Sequence, residues 1–408
     1  MRQRLFRKSA ANASGSKTDT MTRAELFEKA KSIKPADRQA VLKAEARQAT
    51  LAKPPGSLGG LEDMSVRIAG MTGKVVNRIG KGCVAVFCAD NGVAREGVAS
   101  APQSVTMAQT VNFTRRLTGV GALARSYGCE LLIVDMGVKD PIPKELYTDV
   151  PLEDTHKIVN RRLRKSGQTD NIAEGPAMTE AEALQAIATG VEMADAVRSA
   201  DFSIMGAGEM GIGNTTTSAA LLSAITGRPA EETAGRGGGV NDAGFARKKE
   251  IIDNASAAFR EEGGILAAPE AARADKMLAA LTRMGGFDIC AMTGAYLGAA
   301  AGRMPIVIDG YISAVAALAA YVIAPACADY MIASHKSFEK GYSLAIDTLG
   351  LKPFLSLDMR LGEGSGCPVA FSIIRGACDV MADMATFEEA AIDDDYLEEI
   401  RSEEKYQR

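Results

Sequence analysis

Tryptophan is absent from this 408-residue chain and histidine occurs only twice. A histidine-rich metal site and a histidine-based nucleophilic triad are therefore both excluded as first readings. Charge of either sign is also missing in excess, since 47 Lys and Arg stand against 51 Asp and Glu for a net charge of −4. Such a surface has no field to hold a polyanion, and nucleic acid is not expected as a partner. The seven cysteines are odd in number, scattered and without a C-x-x-C pair. They read as reduced thiols of a cytoplasmic protein rather than as disulfides or zinc ligands. No apolar run reaches the roughly 20 residues of a membrane span. The longest, Ile312 to Cys327, carries Ser313, Tyr321 and Pro325 and reads as a buried helix.

The hydrophobic content, 47%, is that of a packed globule. Residues 1–20 form a basic segment without the apolar stretch of a secretory signal, expected to be a disordered tail, and Glu388 to Arg408 is dense in acids and reads as a solvated helical tail. Between them, Thr22 and Glu25 form a capping box. A second helix through Val41 and Leu42 is halted at Lys53-Pro-Pro-Gly56, and a third runs from Leu61 to Met71. From residue 83 short apolar runs alternate with Ala-rich helical stretches. The runs are Cys83–Cys88, Leu131–Val134, Phe202–Met205, Phe287–Ala291, Pro305–Ile308 and Tyr330–Ala333. Continuous rather than alternating apolar character marks strands covered on both faces. The expected fold is α/β, a Rossmann-like, mainly parallel six-stranded sheet flanked by helices. No internal repeat is present.

Several expected strands end in polar residues or glycine: Asp90-Asn91-Gly92, Asp135-Met136-Gly137, Gly206 to Gly213, Asp309-Gly310 and Ser334-His335. Ligands of open α/β sheets bind at such tips, although a single Asp-Gly also serves as a plain turn. The richest segment reads as strand, glycine loop and helix: Gly206, Gly208, Gly211, Ile212 and Gly213 lead into Asn214, Thr215 and Thr216. Glycines admit an anion close to the backbone, and hydroxyls beside the free N–H groups of a helix start suit a phosphate. Gly206-x-Gly208-x-x-Gly211 also matches the dinucleotide fingerprint. That fingerprint needs an acid after the next strand, and Glu231 and Glu232 follow Gly227-Arg228-Pro229 instead, which weakens a nicotinamide-dependent oxidoreductase.

Glu209 would repel a phosphate and reads better as addressing a sugar or a second substrate. Lys248 follows the mobile Gly235-Arg-Gly-Gly-Gly239 and could fold a cation over the phosphate, or belong to a basic surface turn. Glu363, between Gly362 and Gly364, could project into a dry cleft as a general base, or cap a helix.

Four runs carry a resemblance: Lys53-Pro-Pro-Gly-Ser-Leu-Gly59, Gly206-Ala-Gly-Glu-Met-Gly-Ile-Gly-Asn-Thr-Thr216, Gly294-Ala-Tyr-Leu-Gly-Ala-Ala300 and Arg360-Leu-Gly-Glu-Gly-Ser-Gly366. Over residues 40–390 the chain resembles the nicotinate-nucleotide:dimethylbenzimidazole phosphoribosyltransferases. The resemblance implies transfer of phosphoribose from nicotinate mononucleotide to a benzimidazole with inversion, giving the lower ligand of cobamides, with no cofactor or metal. It implies a large Rossmann-like domain, placed here over 81–340, and a small helical domain from both chain ends, placed over 21–80 with 341–390; the acid-dense composition leaves 391–408 as an acidic tail. A homodimer is implied, with an altered subunit that pairs with a homologous chain and uses phenols as the alternative.

By motif, Glu363 matches the general base, Glu209 the loop glutamate, Lys248 the lysine that closes on the nucleotide, and Asp309 a functional aspartate. Gly208, Gly211, Ile212, Gly213, Asn214, Thr215 and Thr216 would bind the nucleotide. Ala101, Gln109, Leu361 and Gly362 would bind the base. Two departures touch that base pocket: aligning Pro102 and Thr106 puts Ala101 where a serine is expected, and Asn91 stands where the family often has histidine.

Overall fold

The computed structural model describes residues 21–397 apart from residue 262. Seven strands form one sheet: β1 (Gly82–Ala89), β2 (Glu130–Gly137), β3 (Tyr147–Thr148), β4 (Ile158–Asn160), β5 (Ile204–Met210), β6 (Ile306–Ile308) and β7 (Met331–Ala333). They lie in the order β3-β4-β2-β1-β5-β6-β7, and every pairing is parallel. All eight residues of β1 are buried, so helices cover both faces of the sheet centre. The chain builds outward from β1 in one direction and then returns to build from β5 in the other. The switch point lies between β1 and β5, where a doubly wound sheet opens a crevice at its carboxyl ends.

The helices are α1 (Arg23–Ser32), α2 (Arg38–Thr50) and α3 (Gly60–Thr72) before the sheet, and α4 (Ser104–Thr114) and α5 (Gly119–Tyr127) between β1 and β2. Next come α6 (Glu180–Ser199), α7 (Asn214–Thr226), α8 (Asp242–Arg260), α9 (Glu270–Met284), α10 (Phe287–Ala301), α11 (Tyr311–Ile323), α12 (Tyr342–Thr348) and α13 (Gly366–Asp383). The capping box at Thr22 and Glu25 is present. The apolar stretch from Ile312 forms most of α11, whose residues are largely buried, and no helix among the described residues is long and apolar enough to cross a membrane. All seven cysteines are buried and unpaired.

The parallel α/β architecture is as expected, but the sheet has seven strands rather than six. Phe287–Ala291 is no strand: it opens α10, which is buried from Phe287 through Ala300. A short apolar run is ambiguous by periodicity, and here its continuation decides for helix. The two strands not anticipated, β3 and β4, have two and three residues, too few to show a pattern. The strand expected at Phe202–Met205 starts later and runs on to Met210, so much of the expected glycine loop is strand. The basic segment 1–20 and residues 398–408 lie outside the described residues. The described part of the acidic stretch forms turns and one 3-10 turn, Asp395–Leu397, instead of an α-helix.

Gly294 in the third motif serves packing. A Cβ on it would stand 1.9 Å from the Ile187 carbonyl oxygen, and one on Gly190 would stand 1.8 Å from that of Ala291. Backbone-to-backbone contact of α6 with α10 thus depends on both glycines. Gly294→Ala is expected to cost about 1–3 kcal/mol by overpacking, read as a lower urea midpoint.

Segments from both ends of the described chain meet. Phe387 N–H donates to the Thr50 carbonyl, and Ala44, Val66, Ala69 and Met381 pack together from α2, α3 and α13. The Lys53 motif builds the entry to α3, where buried Lys53 pairs with buried Glu62 at 2.9 Å. Phe371 of α13 lies against Gly82 of β1 and Gly206 of β5, where any Cβ would collide with its ring or with Cys367. This seats the start of α13, and the loop before it, on the carboxyl ends of the central strands.

Candidate active site

The tips of β5, β6 and β7 border a cleft of about 280 Å³ whose lining includes Gln109, Glu209, Gly211, Thr215, Asp309 and Glu363. Its position at the switch point follows from the strand order.

Glu363 enters the cleft on an unusual backbone. Its φ is 63°, between Gly362 at 85° and Gly364 at 84°, so three consecutive residues occupy the left-handed region. A non-glycine residue there is strained, and the surroundings hold it. Asp309, at the tip of β6, accepts the Gly364 N–H at 3.0 Å and the Gly366 N–H at 2.7 Å. Gly208 gives the loop its seat: a Cβ on it would stand 2.5 Å from the Glu363 carbonyl oxygen. Gly206 and Gly208 are therefore small so that α13 and the Glu363 loop can lie on β5, and neither lines the cleft.

One Glu363 oxygen accepts the Val120 N–H at 3.0 Å, in the first turn of α5, and the other faces the Gln109 amide at 3.3 Å. Burial raises the Glu363 pKa, while the N–H groups of Val120 and Gly119 temper the rise. The two sequence alternatives for this residue thus coincide: one oxygen meets a helix start, and the carboxylate still lines the cleft.

Glu209 stands opposite. It accepts from the Asn214 amide and from the Glu363 N–H at 3.4 Å, and burial together with nearby Asp288 raises it to about 8. From Gly211 the chain turns through Gly213, at φ 100°, into α7. The Ile212 N–H donates to Thr106, whose hydroxyl donates in turn to Asp90, so the turn is tied to the tip of β1. Thr215, in the first turn of α7, lines the cleft and accepts from Lys248 Nζ at 2.9 Å. Lys248 reaches it from α8 fully buried, and that burial lowers its pKa to about 8 against the opposing pull of Glu339.

Most residues singled out in the sequence converge here. Glu209, Gly211, Ile212, Asn214, Thr215, Asp309, Gln109, Leu361, Gly362 and Glu363 line the cleft. Lys248 acts on it through Thr215. Gly213 caps α7, and Thr216 is buried behind with its hydroxyl unpaired. Ala101 is half-buried and not among the lining residues, whereas Val105, one turn on, is. Sequence reasoning missed Ser337, Glu339 and Arg360, although they follow a flagged strand tip and sit in a flagged motif. It also missed Asp288, hidden in the run taken for a strand. Gly285-Gly286-Phe287-Asp288 carries a helix-start signal, an acid in the first turn, that could have exposed it.

Residues 33–392 match the family model described as "Phosphoribosyltransferase". The nicotinate-nucleotide–dimethylbenzimidazole phosphoribosyltransferase of Clostridium perfringens is 45% identical over 381 residues, covering 93% of this chain and 99% of the relative. The protein of the same name from Chloroflexus aggregans is 42% identical over 360 residues, covering 88% and 96%. The crystal structure of CobT from Thermus thermophilus superposes with a TM-score of 0.78 at 35% identity, covering 87% of this chain and 99% of that one. Identity of this extent along nearly the whole chain leaves one conclusion: the chain belongs to the nicotinate-nucleotide–dimethylbenzimidazole phosphoribosyltransferase family.

Proposed function

We propose that the cleft moves the 5-phosphoribosyl group of nicotinate mononucleotide to a benzimidazole-type base with inversion, giving an α-riboside 5′-phosphate and nicotinate for the lower ligand of cobamides. The observation that carries this reading is the pair of buried carboxylates, Glu209 and Glu363, facing one cleft beside the start of α7. The phosphate would sit at that helix start, with Thr215 and Lys248 as its hydroxyl and its cation. One azole nitrogen attacks the anomeric carbon while Glu363 takes the proton from the other nitrogen. As the new C–N bond forms, the bond to the pyridinium nitrogen breaks, and its electron pair stays on that nitrogen, so nicotinate leaves as the carboxylate of a neutral pyridine ring. Glu209 stabilises the positive charge that builds on the sugar in a site poor in water. Asp309 acts as a positioning residue, because both its oxygens are occupied by the loop that carries Glu363. Two copies of this chain would form the working unit, and the seven free thiols fit a cytoplasmic location.

The test is to incubate the purified protein with nicotinate mononucleotide and a panel of benzimidazoles, purines and phenols. Nicotinate release that requires a benzimidazole supports the reading. Release with phenols alone points to an altered acceptor pocket, and release without any acceptor points to a hydrolase.

The rate should depend on pH in a bell. Glu363 must be ionised to take a proton, so kcat/KM rises as pH climbs through its raised value. Lys248 must be charged to hold the phosphate, so kcat/KM falls as pH passes about 8. Lys248→Met is expected to raise KM for the nucleotide and remove the alkaline limb. An alkaline limb that survives the substitution assigns it to another group.

A further inference from the structure

Behind Glu209 lies a second carboxylate to which the proposed chemistry gives no part. Asp288 is fully buried in the first turn of α10. The Asn214 amide nitrogen bridges the two acids, donating to Glu209 Oε2 and to Asp288 Oδ2 at 3.0 Å. The titratable groups that face Asp288 are Glu209 at the end of β5, Asp90 and Cys88 at the end of β1, and Cys290 on α10, all of them acids. Among the described residues no lysine, arginine or histidine pairs with it. Burial weighs most on Asp288 and pushes it up to about 7, while Asn214 and the start of α10 pull the other way. Two carboxylates sharing one amide in a dry site titrate as a pair, and the hydrogen-bond geometry decides which holds the proton.

That geometry is one-sided. Asp288 Oδ1 and Asn91 Oδ1 are both buried and both without a hydrogen-bond partner. They converge beside Gly286, where a Cβ would stand 2.3 Å from the first and 2.6 Å from the second. Two buried acceptors close to one point, with no donor reaching either, are repulsive unless a proton lies between them. Turning the Asn91 amide over would offer Asp288 an N–H, but would set the Asn91 oxygen against the Ala89 carbonyl, now 3.5 Å from its nitrogen. A proton on Glu209 would leave the Asp288–Asn91 contact unrelieved, and Glu209 already receives Asn214 and the Glu363 N–H.

We propose that Asp288 is a positioning residue that holds the proton of the Asp288–Asn214–Glu209 triad, donating its Oδ1–H to Asn91 and leaving Glu209 as the anion that faces the cleft. The claim about turnover rests on the phosphoribosyl-transfer reading; the claim about the proton does not.

Infrared spectroscopy of the whole protein near neutral pH tests it without turnover. A carbonyl band of a protonated carboxylic acid is expected in the unsubstituted protein, surviving in Glu209→Gln and lost in Asp288→Asn. Absence of the band, its loss in Glu209→Gln, or an unchanged band in Asp288→Asn overturns the proposal, because buried Asp309 is a second carboxyl whose proton affinity burial raises. Kinetics give a second arm. Asn at 288 can donate to Asn91 and accept from Asn214, so it should retain most of kcat/KM, while Asp288→Ala leaves Asn91 without a donor and Asn214 bonded to Glu209 alone and should lose about 10- to 100-fold. Asp288→Asn as damaging as Asp288→Ala would show that the residue works as an anion.

Discussion

Glu363→Ala is expected to lower kcat by about 10²–10⁴-fold, the usual contribution of a positioned general base, with little change in KM for the nucleotide. The split follows from where the parts lie. The phosphate would be held at the start of α7 by Thr215 and Lys248, on elements that do not include the Glu363 loop. Alanine at 363 keeps the positive φ, so the loop gains no relief from strain by the change. Glu363→Gln separates base catalysis from hydrogen bonding, since a glutamine can still accept the Val120 N–H that now reaches the carboxylate at 3.0 Å. It cannot take a proton. Equal losses in the two variants support the base, and recovery of turnover with glutamine would sink that assignment.

The second large effect is expected at Glu209. Glu209→Gln keeps the shape and an acceptor for Asn214 but removes the charge, and kcat should fall by about 10²–10³-fold, as when a preorganised electrostatic partner is lost. Burial and the nearby Asp288 make this carboxyl costly to ionise. With the proton of the pair on Asp288, Glu209 is the anion, and positive charge developing on the sugar meets it more strongly than the ground state does, which is the differential binding that lowers a barrier. Turnover unchanged in Glu209→Gln would mean that Glu209 acts neutral, through hydrogen bonding alone.

The fold class was legible because buried parallel strands are written as continuous apolar runs, and β1 is one. Phe287–Ala291 shows where that signal ends, since an apolar helix buried all round gives the same five letters. The carboxylates were legible because an acid between glycines is costly unless used: Glu363 needs a left-handed backbone, and Gly362 leaves room for Glu209, whose oxygen lies 2.5 Å from where its Cβ would be. The purpose of individual glycines was not legible. Gly206 and Gly208 read as phosphate ligands in sequence, yet they make room for Cys367, Phe371 and the Glu363 loop, residues about 160 positions away. Spacing along one segment cannot reveal a partner delivered by another. Asp309 and Asp288 are similar cases, each defined by what the tertiary fold brings against it.

The central claim is that a base attacks the face of the sugar opposite the departing nicotinate, with Glu363 taking its proton. The configuration of the product tests it most directly. With nicotinate mononucleotide and 5,6-dimethylbenzimidazole as the only substrates, proton NMR of the isolated product should show a single riboside phosphate of α configuration, formed in step with nicotinate. A β product, or free ribose 5-phosphate in place of a riboside, would contradict the direct displacement.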